Sequence, residues 1–191
     1  EAIAFLENKI EDKNSAALDF ALATMYYQKG RLSRSAETYE KALKKFPSFL
    51  RARKNLGFVY LSLGKIEEAS ESLARAISLG ENDGVTYVAL GYCHLSMNRY
   101  LAAENAYRMG TLLYPESKDA RNGLINCLLS TGRYQEALSL LDELLEKDPE
   151  NTYCHYARAS ALQGMEREKE AAIALETLRR MGKLKTSGFV S

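Results

Sequence analysis

Residues 50–83 read LRARKNLGFVYLSLGKIEEASESLARAISLGEND. Within them Leu56 and Gly57 lie about one helical turn before Tyr60, Gly64 interrupts, and Ala69, Leu73 and Ala76 resume at spacings of four and three. Residues so spaced share one face of a helix. The stretch predicts two helices joined at Gly64, where a left-handed backbone suits glycine.

The same pattern returns every 34 residues. Counting residue 16 as the first position, the units are 16–49, 50–83, 84–117, 118–151 and 152–185. The three prolines, Pro47, Pro115 and Pro149, are separated by 68 and 34 residues and so share one phase. Position 8 reads Ala23, Gly57, Gly91, Ile125, Ala159, and position 20 reads Ser35, Ala69, Ala103, Ala137, Ala171. Position 7 reads Leu22, Leu56, Leu90, Leu124, Arg158, and position 24 reads Tyr39, Leu73, Tyr107, Leu141, Leu175. The turn position 15 holds Gly30, Gly64, Asn98 and Gly132, while the fifth unit has Glu166 there, after Gly164. Each unit therefore reads as helix, turn, helix, and then a proline or its substitute that cannot continue the second helix.

Small side chains at positions 8 and 20 let the two helices of a unit approach, and large ones at 7, 11 and 24 fill the space beside the crossing. One helical hairpin cannot bury its apolar face alone, so neighbouring units must stack and share a core. The fold class expected is all-α, one continuous solenoid of antiparallel helix pairs.

At this point the chain resembles the tetratricopeptide repeat family, whose pattern is W-x2-L-G-x2-Y, then A-x3-F, then P. The unit that shows it best is Leu56-Gly57-Phe58-Val59-Tyr60 with Gly64, Ala69, Leu73 and Ala76. The resemblance covers residues 16–185 and implies a right-handed superhelix. The pattern departs from the family at Ser35, Ile125 and Arg158, and at position 27, which runs Ala42, Ala76, Gly110, Leu144, Leu178. The register argues against the pentatricopeptide arrays that read one RNA base per repeat.

Residues 1–15 are expected to hold the second helix of a preceding, truncated repeat, and 186–191 a tail too short to cap the last one. The piece is therefore expected to belong to a longer protein, with self-association through uncapped ends as an alternative.

The wider composition excludes several classes. The chain has 191 residues, 46% apolar and 27% charged, with 26 basic against 25 acidic side chains, which fits a globular protein and not a disordered or polybasic one. Its longest uncharged run, Gly84 to Asn98, has 15 residues, shorter than a membrane span needs. Between Lys29 and Lys54 nine basic residues face Glu37 and Glu40, a local excess of seven that fits a solvated surface or an acidic partner better than nucleic acid.

Cys93 and Cys127 share position 10 and read as small core residues, with no structural disulfide expected; three cysteines fit a reducing compartment such as the cytoplasm. His94 and His155 occupy slots that are aromatic in other units, and their adjacent cysteines point elsewhere around the helix, so no metal site is expected. Ser62-Leu63-Gly64-Lys65 matches S-x-x-K but lacks its companion motifs, and no phosphate loop or hydrolase elbow occurs. Neither an enzyme nor a cofactor is expected.

The family resemblance implies that the first helix of each repeat lines a concave groove through positions 2, 5, 9 and 12. Carried onto this chain, the candidates for holding a peptide or protein segment are Tyr27, Arg51, Lys54, Phe58, Tyr92, Asn122, Asn126, Tyr153 and Tyr156. Aromatics offer contact area at low entropy cost, and Asn122 and Asn126, four apart, offer amides to a ligand main chain. Arg51 and Lys54 offer cations to an acidic group. The alternative for Phe58 and Tyr92 is packing between first helices, and for the Asn pair plain solvation. The family's carboxylate clamp for chaperone tails is not expected, because Lys54 is followed by Phe58, Asp119 and Gly123 where Asn, Lys and Arg are wanted.

Overall fold

The computed structural model describes residues 2–12 and 15–182. Its helices are α1 (Ala2–Asp12), α2 (Ala16–Gln28), α3 (Leu32–Lys45), α4 (Leu50–Ser62), α5 (Ile66–Ser78), α6 (Gly84–Ser96), α7 (Tyr100–Leu113), α8 (Lys118–Ser130), α9 (Tyr134–Lys147), α10 (Thr152–Gly164) and α11 (Glu168–Arg180). No strand occurs among the described residues. The protein is an all-α assembly of helix hairpins. Residues up to Ala120 form one compact unit and those from Arg121 a second. The expected tail at 186–191 lies outside the described residues.

The turn inside each hairpin has one geometry. Gly30, Gly64, Asn98, Gly132 and Glu166 all have positive φ, between 57° and 73°. The next residue's N–H reaches back over the helix end, as in Lys65 to the Tyr60 carbonyl (2.9 Å) and Arg167 to that of Leu162 (2.9 Å). This closes carbonyls that the helix end would leave unpaired. In the fifth hairpin the left-handed residue is Glu166, not Gly164. Gly164 answers a different need, since a Cβ there would run into the Tyr134 ring.

Successive hairpins are joined through the proline turns. Ser117 N–H donates to the Tyr114 carbonyl (3.0 Å) and Asn151 N–H to that of Asp148 (3.1 Å), each pair bracketing a proline. The last residue of each of these turns then caps the following helix. Ser117 Oγ accepts from Ala120 N–H (3.1 Å) and Asn151 Oδ1 from Cys154 N–H (3.1 Å), each cap contributing about 1 kcal/mol. Between α5 and α6 there is no proline. Gly80 turns the chain with φ 104°, Glu81 stands in the proline slot, and Asp83 Oδ1 accepts from Thr86 N–H (2.8 Å) as the cap.

Close approach explains the small positions. A Cβ on Gly57 would sit 2.7 Å from Leu73, and one on Gly91 2.9 Å from the Tyr107 ring. Ser35, in the alanine slot, is fully buried and donates from Oγ to the Ala23 carbonyl (2.8 Å), so its hydroxyl is satisfied across the crossing. Ile125 is fully buried and joins Leu141, Cys154 and Ala157 in the second unit's core. Arg158, in a leucine slot, keeps its side chain 42% exposed and places Nε 3.5 Å from Asp142 Oδ1. Cys93, Cys127 and Cys154 are buried and not joined in disulfides, and burial pushes Cys93 up to about 11.

Candidate functional site

The candidates lie on the first helices of the hairpins, and each unit is described by itself. In the first unit α2, α4 and α6 supply them. Tyr27 is 44% and Tyr92 53% exposed, and Arg51 is exposed with no ion pair among the described residues. Phe58 is only half-buried and packs on the cluster of Ala69, Leu73, Ala89, Leu90, Cys93 and Ala106. It therefore helps hold α4 to its neighbours as well as bordering the exposed face. Phe20 likewise belongs to the interior, its ring 5.0 Å from Phe49 and 5.7 Å from Tyr39.

Lys54 is not a free cation. Its Nζ lies 2.8 Å from Asp83 Oδ2 and 3.2 Å from Glu81 Oε2. Burial works against its charge, but the hydrogen bonds to Asp83 and Glu81 prevail and hold its pKa above the ordinary lysine value. Asp83 mirrors this, since burial would raise it while Lys54 and the Thr86 N–H together hold it below the ordinary carboxylate value. Lys54 thus ties α4 to the loop before α6, and a ligand carboxylate would have to displace two others to reach it.

Sequence reasoning missed two residues here. One is Asp83, whose signal was an acid placed after an inter-repeat turn without a proline. The other is Val85, 53% exposed at position 2 of its repeat and aligned with Val88 and Tyr92 at spacings of three and four.

In the second unit Tyr153 Oη lies 2.8 Å from Asn126 Oδ1 and 2.9 Å from the Asn122 carbonyl. Burial is the first cause that lifts Tyr153 far above the ordinary tyrosine value, so its hydroxyl stays protonated as a donor. The structure brings Asn122, Asn126 and Tyr153 together, with Asn126 exposed and its amide orientation held from behind. Tyr156, 63% exposed, stands one turn further along α10. Asn126 and Tyr156 therefore face solvent, whereas Tyr153 spends its hydroxyl internally.

No three His, Cys, Asp or Glu side chains converge as metal ligands would among the described residues, and no described helix is long and apolar enough to cross a membrane. Comparison with known proteins decides the family. Tetratricopeptide repeat models match residues 20–84, 94–161 and 128–182, together most of the chain. The chain belongs to the tetratricopeptide repeat family. Among solved structures, this tetratricopeptide protein is similar to YrrB, a TPR protein with an unusual peptide-binding site, at TM-score 0.84 and 22% identity over 92% of this chain and 91% of that one. It is also similar to MamA, at TM-score 0.78 and 21% identity over 92% of this chain and 98% of the other. Both likenesses concern the fold.

Its sequence relatives include Protein SULFUR DEFICIENCY-INDUCED 1 of Arabidopsis thaliana, 24% identical over 148 residues, which is 76% of this chain and 45% of that protein. Another is the Protein CTR9 homolog of Arabidopsis thaliana, 28% identical over 116 residues, 59% of this chain and 11% of that one. The chain thus spans less than half the length of either relative. Tetratricopeptide repeats as a class mediate protein–protein interaction and are in general non-enzymatic scaffolds.

Proposed function

We propose that this chain is a non-enzymatic scaffold that binds a peptide or protein segment on the exposed face of its first helices, within a longer protein. The observation that carries the reading is the set of large side chains left exposed there, Tyr92 and Val85 at 53% each and Tyr156 at 63%. Tyrosines lose little entropy on burial and supply much of the contact energy in protein interfaces, and Val85 adds apolar area beside Tyr92. YrrB, a TPR protein with an unusual peptide-binding site that is similar in fold, supports this reading. In the second unit the amide of Asn126, held by Tyr153, would pair with the main chain of the bound segment.

The test is capture on the immobilised chain from lysate of its own source, beside a folded Tyr92→Ser, Tyr156→Ser variant. Both tyrosines are exposed, so the variant should keep the parent's helical circular dichroism. A protein retained by the parent and lost by the variant is the expected result. Retention of the same proteins by both, or of the chain's own copies alone, would transfer the role to self-association.

A further inference from the structure

The helix α6 contains no Asp, Glu, Lys or Arg in its 13 residues. It nevertheless leaves Val85 and Tyr92 half exposed, and Val88 between them is only half-buried. At a rise of about 1.5 Å per residue these three form one apolar stripe roughly 10 Å long. The neighbouring first helices α2 and α4 bring few charges to it, and of these Arg51 is unpaired among the described residues while Lys54 is held. On α2 the corresponding positions are Ala17, Phe20, Thr24 and Tyr27, all uncharged. On α4 they are Arg51, Lys54, Phe58 and Leu61, and Lys54 is held by Glu81 and Asp83. Two cations and two carboxylates thus border the stripe, and no net charge remains to attract a charged ligand.

We propose that the wall built by α4 and α6 takes an uncharged apolar segment of a partner protein, held by burial of aliphatic or aromatic side chains against Val85, Val88 and Tyr92 and not by ion pairing. This rests on the first-helix face being the binding face, and it names the chemistry of what binds there. The acidic partner that the basic stretch at 29–54 suggests is not the one this wall fits. Burial of apolar surface is indifferent to screening, whereas recognition by Arg51 and Lys54 would weaken as salt rises.

The probe is a displayed library of random peptides selected against the whole chain, with enriched peptides then measured on the parent and on Val85→Glu, Tyr92→Ser, Arg51→Gln and Tyr156→Ser variants. Val85 lies in the first turn of α6, where a glutamate is compatible with the helix. Val85→Ser serves as a second variant should Val85→Glu lose helicity. The expected peptides carry at least two large apolar side chains and no net charge. Their affinity should change less than about twofold between roughly 0.05 and 0.5 M NaCl. It should fall at least about tenfold on changing Val85 or Tyr92 and stay level on changing Arg51.

Enrichment of acidic peptides that need Arg51 and weaken steeply with salt would overturn the inference while leaving the binding face in place. Peptides lost only with Tyr156→Ser would do the same, by moving recognition to the second unit. A parent chain that self-associates, and becomes monomeric with Val85→Glu, would assign the stripe to a second copy. Enrichment of no peptide, or only of peptides indifferent to all four variants, would overturn the binding-face reading itself.

Discussion

At Glu166 the backbone has φ 60°, a left-handed conformation in which a Cβ is strained and glycine is not. The four other hairpin turns use Gly30, Gly64, Gly132 or Asn98 there, the residues best suited to it. Glu166→Gly should therefore stabilise the protein by about 1 kcal/mol, read as a rise in the thermal unfolding midpoint. Gly57 presents the opposite case, because its place is set by space and not by φ. A Cβ there meets the Leu73 side chain at 2.7 Å in a buried crossing, so Gly57→Ala should destabilise by about 1–3 kcal/mol despite alanine's better helix propensity. An unchanged or raised midpoint for Gly57→Ala would mean that the α4–α5 crossing has room to spare.

At the scale of the element, α6 is seated by Asp83, which caps its first turn and holds Lys54 of α4. Asp83→Ala removes both and should cost about 1–2 kcal/mol, more than Lys54→Met, which leaves the cap intact. The pair also sets a pH dependence. Because the Asp83 carboxyl is held below its ordinary 3.8, its contribution is complete above that value and is lost as pH falls through the lower folded one. Because Lys54 is raised above 10.5, its contribution holds below that value and is lost as pH climbs through the higher folded one. An Asp83→Asn protein should thus lose less stability than the parent when acidified below about pH 4, as followed by denaturant titration at each pH. Equal acid sensitivity of the two would show that the cap and ion pair are not maintained in solution.

At the scale of the molecule each hairpin rests chiefly on its neighbours, so damage should stay local. Leu141→Ala, at a fully buried site of the second unit, should raise amide hydrogen exchange in α9 and α10 well before α4 and α5. Uniform loss of protection would indicate that the two compact units open as one.

Much of this architecture was legible in the chain, because a 34-residue ruler places small, large and turn residues in register and each has a local cause. The exposed face of the first helices was legible only in part. Tyr92 and Tyr156 are as exposed as their positions implied, but Phe58 is drawn into the interior and Lys54 is held by a carboxylate 29 residues away. Those outcomes depend on pairings between repeats, which no single repeat's pattern records. Gly164 shows the same limit, since the glycine nearest the expected turn serves the Tyr134 ring instead.

The central claim is that ligands meet the first helices. The most direct measurement is backbone NMR of the labelled chain titrated with a peptide selected on it. The account predicts shift changes gathered at Arg51, Phe58, Val85 and Tyr92 on α4 and α6, or at Asn126 and Tyr156 on α8 and α10. Changes gathered on the second helices α3, α5 and α7, with the first helices silent, would contradict it.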